Sequence, residues 1–265
     1  MARPIVALLT DFGTVDHYVG AMKGVLLGIC PDATLVDLTH EIPPHDVLTA
    51  ALELAATCRY FPPATIFLVV VDPGVGSGRR GVALEAGDYR FVAPDNGVLT
   101  CVLGDLKAKR SVELTERRYA RPTVSRTFEG RDRFAPAAGW LAKGVDLAAL
   151  GRPLATLTRL DVPSPRVATA CLAGEVMRVD RFGNLVTNID RRTFEQFRGS
   201  AGIRVEAGPH SVERLGSTYA DAPPGAVCAL FGSTDHLEID CYGESAHARL
   251  ALGRGAEVRV VLTPA

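Results

Sequence analysis

Apolar and polar positions follow two regimes along this chain, and the change falls near residue 160. In the first regime, unbroken apolar runs such as Ile5–Thr10 and Ile66–Val71 alternate with longer segments whose apolar residues recur three and four apart. An unbroken run suits a strand buried on both faces, and the wider spacing suits a helix laid across it. Tyr18, Met22, Val25, Leu26 and Ile29 predict one helix, with Gly20, Gly24 and Gly28 allowing close approach to the sheet. Thr34–Thr39 reads as a second strand, and a helix over Val47–Cys58 is expected to bury Leu48, Leu52 and Ala55. Gly81–Glu85 and Tyr89–Ala93 read as further strands. Pro94-Asp95-Asn96-Gly97 then opens a short helix through Leu103, capped by Asp95 or Asn96, and a later apolar helix contains Trp140 and Leu141. Strand, helix, strand, helix, strand predicts a mostly parallel sheet with crossover helices.

Beyond the linker-like Asp161-Val-Pro-Ser-Pro-Arg166, helical spacing largely disappears. Short runs at Ala173–Val179, Ile203–Glu206, Gly225–Phe231, Leu237–Ile239 and Glu257–Leu262 predict a small β-barrel or sandwich. The expected fold class is therefore α/β: an N-terminal mostly parallel sheet with flanking helices over residues 1–160, and a C-terminal small β-barrel over residues 161–265.

Composition narrows the partners. A net charge of −1 gives no electrostatic footprint for nucleic acid or an anionic membrane. No apolar stretch has the length of a membrane span. The six cysteines are scattered without a CxxC pair, which favours reduced thiols and a cytoplasmic setting.

The candidate chemistry gathers at strand ends. Asp72 closes an apolar strand and is followed by Pro73, Gly74, Gly76 and Gly78, a turn that brings Arg79 back toward it. A carboxylate held by a guanidinium is fixed in orientation and can polarise a small nucleophile, although a purely structural pair closing a loop reads equally well. Asp11 and Asp16 follow the first strand. His40, His45 and Asp46 lie in a loop near them, without a compact zinc spacing. The glycines after Asp72 lack the Gly-Lys-Ser/Thr of a phosphate loop, and no nucleophile elbow is present. Asp180-Arg-Phe182-Gly-Asn184 offers a ring and an amide, with a turn at Gly183 the simpler reading. A pocket of carboxylates, one guanidinium and amides suits a ligand with hydroxyls and a positive charge.

Through Leu9-Thr-Asp11-Phe-Gly, Asp72-Pro-Gly-Val-Gly, Ala93-Pro-Asp-Asn-Gly97, Thr127-Phe-x-Gly-Arg-Asp132, Phe182-Gly-Asn184 and Thr187-Asn188, the chain resembles the S-adenosylmethionine hydrolases (hydroxide adenosyltransferases), relatives of fluorinase and chlorinase. The resemblance implies a homotrimer with active sites between the N-terminal domain of one subunit and the C-terminal domain of its neighbour. It implies S-adenosyl-L-methionine as substrate, or adenosine as ligand, and neither metal nor cofactor. Asp11 would take the ribose diol, Asp16 the methionine ammonium, and Asp180, Phe182 and Asn184 the methionine moiety and adenosine. Ser233 would meet the methionine carboxylate, and His45 stands where fluorinase has a tryptophan. Asp72 with Arg79 is the pattern of the water-using branch; halogenases carry a tyrosine at the first position and lack the arginine. Gly130 matches their halide-site serine. Glu129 stands where hydrolases carry a histidine, so it is expected to pair with Arg79 or to share the water with Asp72. Halogenation and non-catalytic binding are the competing readings, and whether Arg79 or Arg80 points inward stays open.

Overall fold

The computed structural model describes residues 3–212 and 214–263. The chain divides into two compact units, one ending at Asp161 and the other beginning at Val162.

The first unit is built on a seven-stranded sheet: β1 (Ile5–Thr10), β2 (Thr34–Thr39), β3 (Ile66–Val70), β4 (Gly81–Ala86), β5 (Tyr89–Pro94), β6 (Ala108–Leu114) and β7 (Gly151–Pro153), in the order β2-β1-β3-β5-β4-β6-β7. The first four in that order run parallel, and the remaining pairings are antiparallel. Unbroken apolar runs are required because both faces are covered. Val6, Leu8, Leu68 and Val70 face a core shared with α1 (Tyr18–Ile29), whereas Ala7, Leu9, Phe67 and Val69 face one shared with α2 (Val47–Cys58) and a short α3 (Val102–Asp105). The first core also takes α4 (Ala135–Ala142), which follows a π-helical turn at Gly130–Phe134.

Three local expectations are corrected. Gly20, Gly24 and Gly28 point into open space, because α1 buries Val19, Met22 and Leu26 instead. The close approach comes from Gly139 of α4, where a Cβ would lie 3.1 Å from that of Ile29. In α2 the small face Ala50, Ala51, Leu54 and Cys58 is buried, while Leu48, Leu52 and Ala55 are half-buried. Asp95 and Asn96 cap no helix. Asn96 Nδ2 donates to Val71 O at 2.8 Å and its Oδ1 accepts from Val98 N, an Asx turn that delays helix onset to Val102.

The second unit holds β8 (Arg166–Val167), β9 (Cys171–Val179), β10 (Leu185–Asp190), β11 (Gly202–Ala207), β12 (His210–Val212), β13 (Val227–Phe231), β14 (His236–Cys241) and β15 (Glu257–Thr263), ordered β12-β11-β15-β9-β10-β14-β13 with β8 beside β9. Leu215 forms a parallel bridge to Ala229 of β13, so the chain just past β12 meets the opposite edge and the sheet is nearly closed into a barrel. Leu172, Val176, Ile189, Leu237, Ile239 and Val260 fill its interior. Two helices escaped the sequence reading, α5 (Arg191–Arg198) and α6 (Ala246–Leu250). In α5 only Phe194 is buried, so no apolar stripe announces it; Asp190 caps it through Thr193 N at 2.9 Å.

Candidate active site

Parallel register places Thr10 beside Val70, so Asp11 and Asp72 leave the sheet at the same edge. After Asp72 the chain turns through Val75 N–H to Asp72 O (3.2 Å) and Ser77 N–H to Gly74 O (3.1 Å), and Ser77 Oγ accepts from Arg79 N (3.2 Å). Gly76 has φ +77°, and a Cβ there would sit 2.5 Å from Arg126 O. Only glycine lets the turn lie against the Ser125–Thr127 segment that leads to Glu129.

Arg79 then reaches back as expected. Its Nε donates to Asp72 Oδ1 at 2.8 Å, and its Nη2 donates both to Asp72 Oδ2 and, at 2.5 Å, to Glu129 Oε2. The three side chains are 10%, 6% and 11% exposed, dry enough for these charge-assisted bonds to hold a single geometry. The guanidinium stacks over the Phe134 ring at 5.1 Å, and its buried Nη1 has no hydrogen-bond partner among the described residues. Arg133 Nη2 lies 3.5 Å from Glu129 Oε1, so two cations face two carboxylates. Arg80 turns elsewhere: it pairs with Asp95, whose Oδ1 accepts from Thr158 N at 2.8 Å. Asp132 is fully buried. Burial pushes its carboxyl up, but hydrogen bonds from Arg131 and Ser125 N outweigh that and hold it below the ordinary range. At Gly130 a Cβ would press on Met22 Sδ (3.2 Å) and Val70 Cγ1 (3.3 Å), which accounts for the missing side chain.

Asp11 Oδ2 accepts from the backbone N–H of His45 at 2.8 Å; His45 has φ +68°, and its ring is not what meets Asp11. Asp16 is exposed in the following loop. His40, weighed above as a metal ligand, is a buried strut: Nδ1 lies 2.8 Å from Thr10 Oγ1 and Nε2 3.0 Å from Asp37 Oδ1. His40 O also accepts from Gly13 N at 2.7 Å, pinning the loop after Asp11. Sequence reasoning missed the rings here. Phe12, Tyr18 and Phe128 pack edge-on or tilted with centroids 5.1–6.0 Å apart, and Phe12 and Phe128 directly follow Asp11 and precede Glu129.

In the second unit Asp180 organises the turn: Oδ1 accepts from Phe182 N and Asn184 N, and Oδ2 from Asn184 Nδ2, all at 2.9 Å. The turn forms with Gly183 at φ +88°, and it presents Phe182 78% exposed. Phe182 and Asn184 line a cavity of about 580 Å³ with Tyr219, Tyr242, Glu244 and Ser245, residues that carried no periodic or motif signal. Ser233 is exposed in the β13–β14 turn, at the end of β14 away from this cavity. The adjoining Gly232 backs onto Glu238, whose carboxyl burial and the charge of Asp180 push up.

The sequence pattern of the SAM hydroxide adenosyltransferase N-terminal domain matches residues 6–151, and that of the C-terminal domain matches residues 174–259. The chain belongs to the SAM hydroxide adenosyltransferase family. Similar relatives include proteins named (R)-S-adenosyl-L-methionine hydrolase from Salinispora tropica, 39% identical over 97% of both chains, and from Thermus thermophilus, 38% identical over 98% of this chain and all of that one. A protein named fluorinase from Nocardia brasiliensis is 31% identical over 89% of this chain and 90% of its own. A crystal structure of an uncharacterized conserved protein from Thermotoga maritima superposes with a TM-score of 0.91 at 35% identity, covering 97% of this chain and 99% of that one. In this member of the SAM hydroxide adenosyltransferase family the Glu129 carboxylate sits on Arg79, one of the two arrangements expected for it.

Proposed function

We propose that this protein hydrolyses S-adenosyl-L-methionine to adenosine and L-methionine. The observation that carries the reading is the Asp72–Arg79 fork at the tip of β3, with Glu129 on the same guanidinium nitrogen. The near-full-length relatives named for that hydrolysis support it. The sulfonium is already an activated leaving group, so the protein's task is to place water. Asp72, oriented by Arg79, accepts a proton from water as its oxygen bonds to C5′; the C5′–S bond breaks, its electron pair stays on sulfur, and neutral methionine departs with one proton released overall. Glu129 holds Arg79 rather than the water. Two carboxylates beside the nucleophile position disfavour a desolvated halide, which separates this chain from halogenases.

Asp11 Oδ1 would accept from the ribose hydroxyls while Oδ2 is held by His45 N, and Asp16 would meet the ammonium. Phe182 and Asn184 would take the adenosine, with Asp180 positioning them, and Ser233 the methionine carboxylate. These residues fall in two units, and we infer that a homotrimer unites the N-terminal half-site of one subunit with the C-terminal half-site of its neighbour. Incubation with S-adenosyl-L-methionine in halide-free and chloride buffers, with chromatography of products, tests the proposal. Adenosine in halide-free buffer is expected; 5′-chloro-5′-deoxyadenosine, or binding without product, would overturn it.

A further inference from the structure

We propose that the N-terminal unit carries a second binding site, for a small organic phosphate, in an arginine-lined cavity that has Arg133 in its wall. The cavity is about 690 Å³, and Arg117, Arg118, Arg121 and Arg133 converge on it above an apolar floor that includes Ala137 and Leu150. The four guanidiniums make no hydrogen bond among the described residues: their nearest acids stand at 3.9 Å (Arg118–Glu116), 3.5 Å (Arg121–Asp132) and 3.5 Å (Arg133–Glu129), and Arg117 has none. Asp132 is held chiefly by Arg131, which binds both its oxygens at 2.7 and 2.9 Å, with Arg121 a more distant partner at 3.5 Å. Glu113, on the same wall, is taken by Arg152 at 2.9 Å. Elsewhere in the unit Arg79, Arg110 and Arg131 are each forked onto a carboxylate, and Arg80 puts two donors on Asp95 Oδ2. Unforked guanidiniums gathered around a cavity present planar donor forks that can each take two oxygens of a phosphate.

The wall is stiff. Tyr119 packs edge-on against Trp140 at 5.6 Å, Arg118 stacks over Tyr119 at 4.8 Å, and Arg121 N donates to Asp132 O at 2.9 Å. A cationic rim over an apolar floor fits a phosphate attached to a ring-sized apolar body better than bare phosphate. Occupancy would draw Arg133 from Glu129 and leave Glu129 to Arg79 alone. That coupling rests on the proposed hydrolysis; the binding does not.

Calorimetric titration of the full chain with phenyl phosphate, inorganic phosphate and phenol, with adenosine kept saturating, tests both parts. Phenyl phosphate is expected to bind saturably and more tightly than either fragment, on the order of tenfold more weakly in Arg117→Gln/Arg118→Gln with an unchanged circular dichroism spectrum. No saturable binding, equal affinity in the variant, or equal affinity for inorganic phosphate would overturn the site. Phenyl phosphate should also change kcat in the wild type and not in the variant; unaffected turnover would overturn the coupling. Absence of any turnover would instead count against the hydrolysis reading, and the titration would still decide the site.

Discussion

Replacing Asp72 by Asn keeps the shape of the side chain and removes its charge, which separates positioning from proton acceptance. In the native fork, Oδ1 takes Nε at 2.8 Å and Oδ2 takes Nη2. An amide turns one acceptor into a donor facing a guanidinium N–H, so at most one of the two bonds survives. Losing one charge-assisted bond between groups only 6% and 10% exposed costs about 1.5–3 kcal/mol. In a chain of this size that lowers Tm by roughly 3–12 °C, and the protein stays folded at assay temperature. Glu129 still holds Arg79 Nη2, so the loop keeps its place. The chemical step loses its proton acceptor, and kcat should fall on the order of 10²–10⁴-fold, while the Kd for S-adenosyl-L-methionine changes little. Single-turnover kinetics with calorimetric binding on the same preparation measures both. An Asp72→Asn variant with native kcat, or one in which binding falls as far as turnover, would refute the assignment of Asp72 to the reacting water.

Two further outcomes follow from the geometry. Gly76→Ala places a Cβ 2.5 Å from Arg126 O at φ +77°, so it should destabilise by about 1–3 kcal/mol and lower kcat more than the same loss placed elsewhere; thermal unfolding and kinetics check this, and a variant as active and stable as the wild type would contradict it. Asp240 is 1% exposed; burial first, and the charge of Asp180 second, push its carboxyl from the ordinary 3.8 to about 6 against one hydrogen bond from Cys228 Sγ. The folded state thus binds the proton more tightly than the unfolded chain, stability falls as pH rises from about 4 through 6, and the loss is complete above that. The gap amounts to about 3 kcal/mol, so the difference in unfolding free energy between pH 4 and pH 8 should shrink by that much in Asp240→Asn, and an unchanged difference in denaturant titrations would contradict it.

What the sequence made legible was whatever a period of two or four residues can carry. The two-sided burial of β1 and β3 forces unbroken apolar runs, and the crossover helices need a continuous stripe, so these elements and the acids at their carboxyl ends could be read directly. Which stripe faces the sheet was harder. In α2 the rows through Ala51 and Leu52 differ by one position, and the small alanines pack closest. The site was legible where a turn brings near neighbours together, as from Asp72 to Arg79. It was not legible where folding brings distant rings together: Phe12 and Phe128 are far apart in the chain and 6.0 Å apart in space. Tyr219, Tyr242 and Ser245 are in the same position, lying on irregular segments whose placement follows from closure of the barrel rather than from any local pattern.

Glu129 shows how a second carboxylate is absorbed by its surroundings. A histidine there could change its charge near neutral pH and contribute a hydrogen bond; a glutamate brings a second carboxylate onto the guanidinium that holds Asp72. Left uncompensated in a cluster this dry, that carboxylate would be costly. Arg133, four residues on and one π-helical turn away, lies 3.5 Å from it and restores the balance at two cations to two anions. The Asp72–Arg79 geometry therefore tolerates a second carboxylate because its charge is answered from the same turn of chain, and the answering residue also lines the arginine cavity. Exchanging Glu129 for histidine would leave Arg133 without its acid, so the two positions are coupled, and any account of one has to include the other.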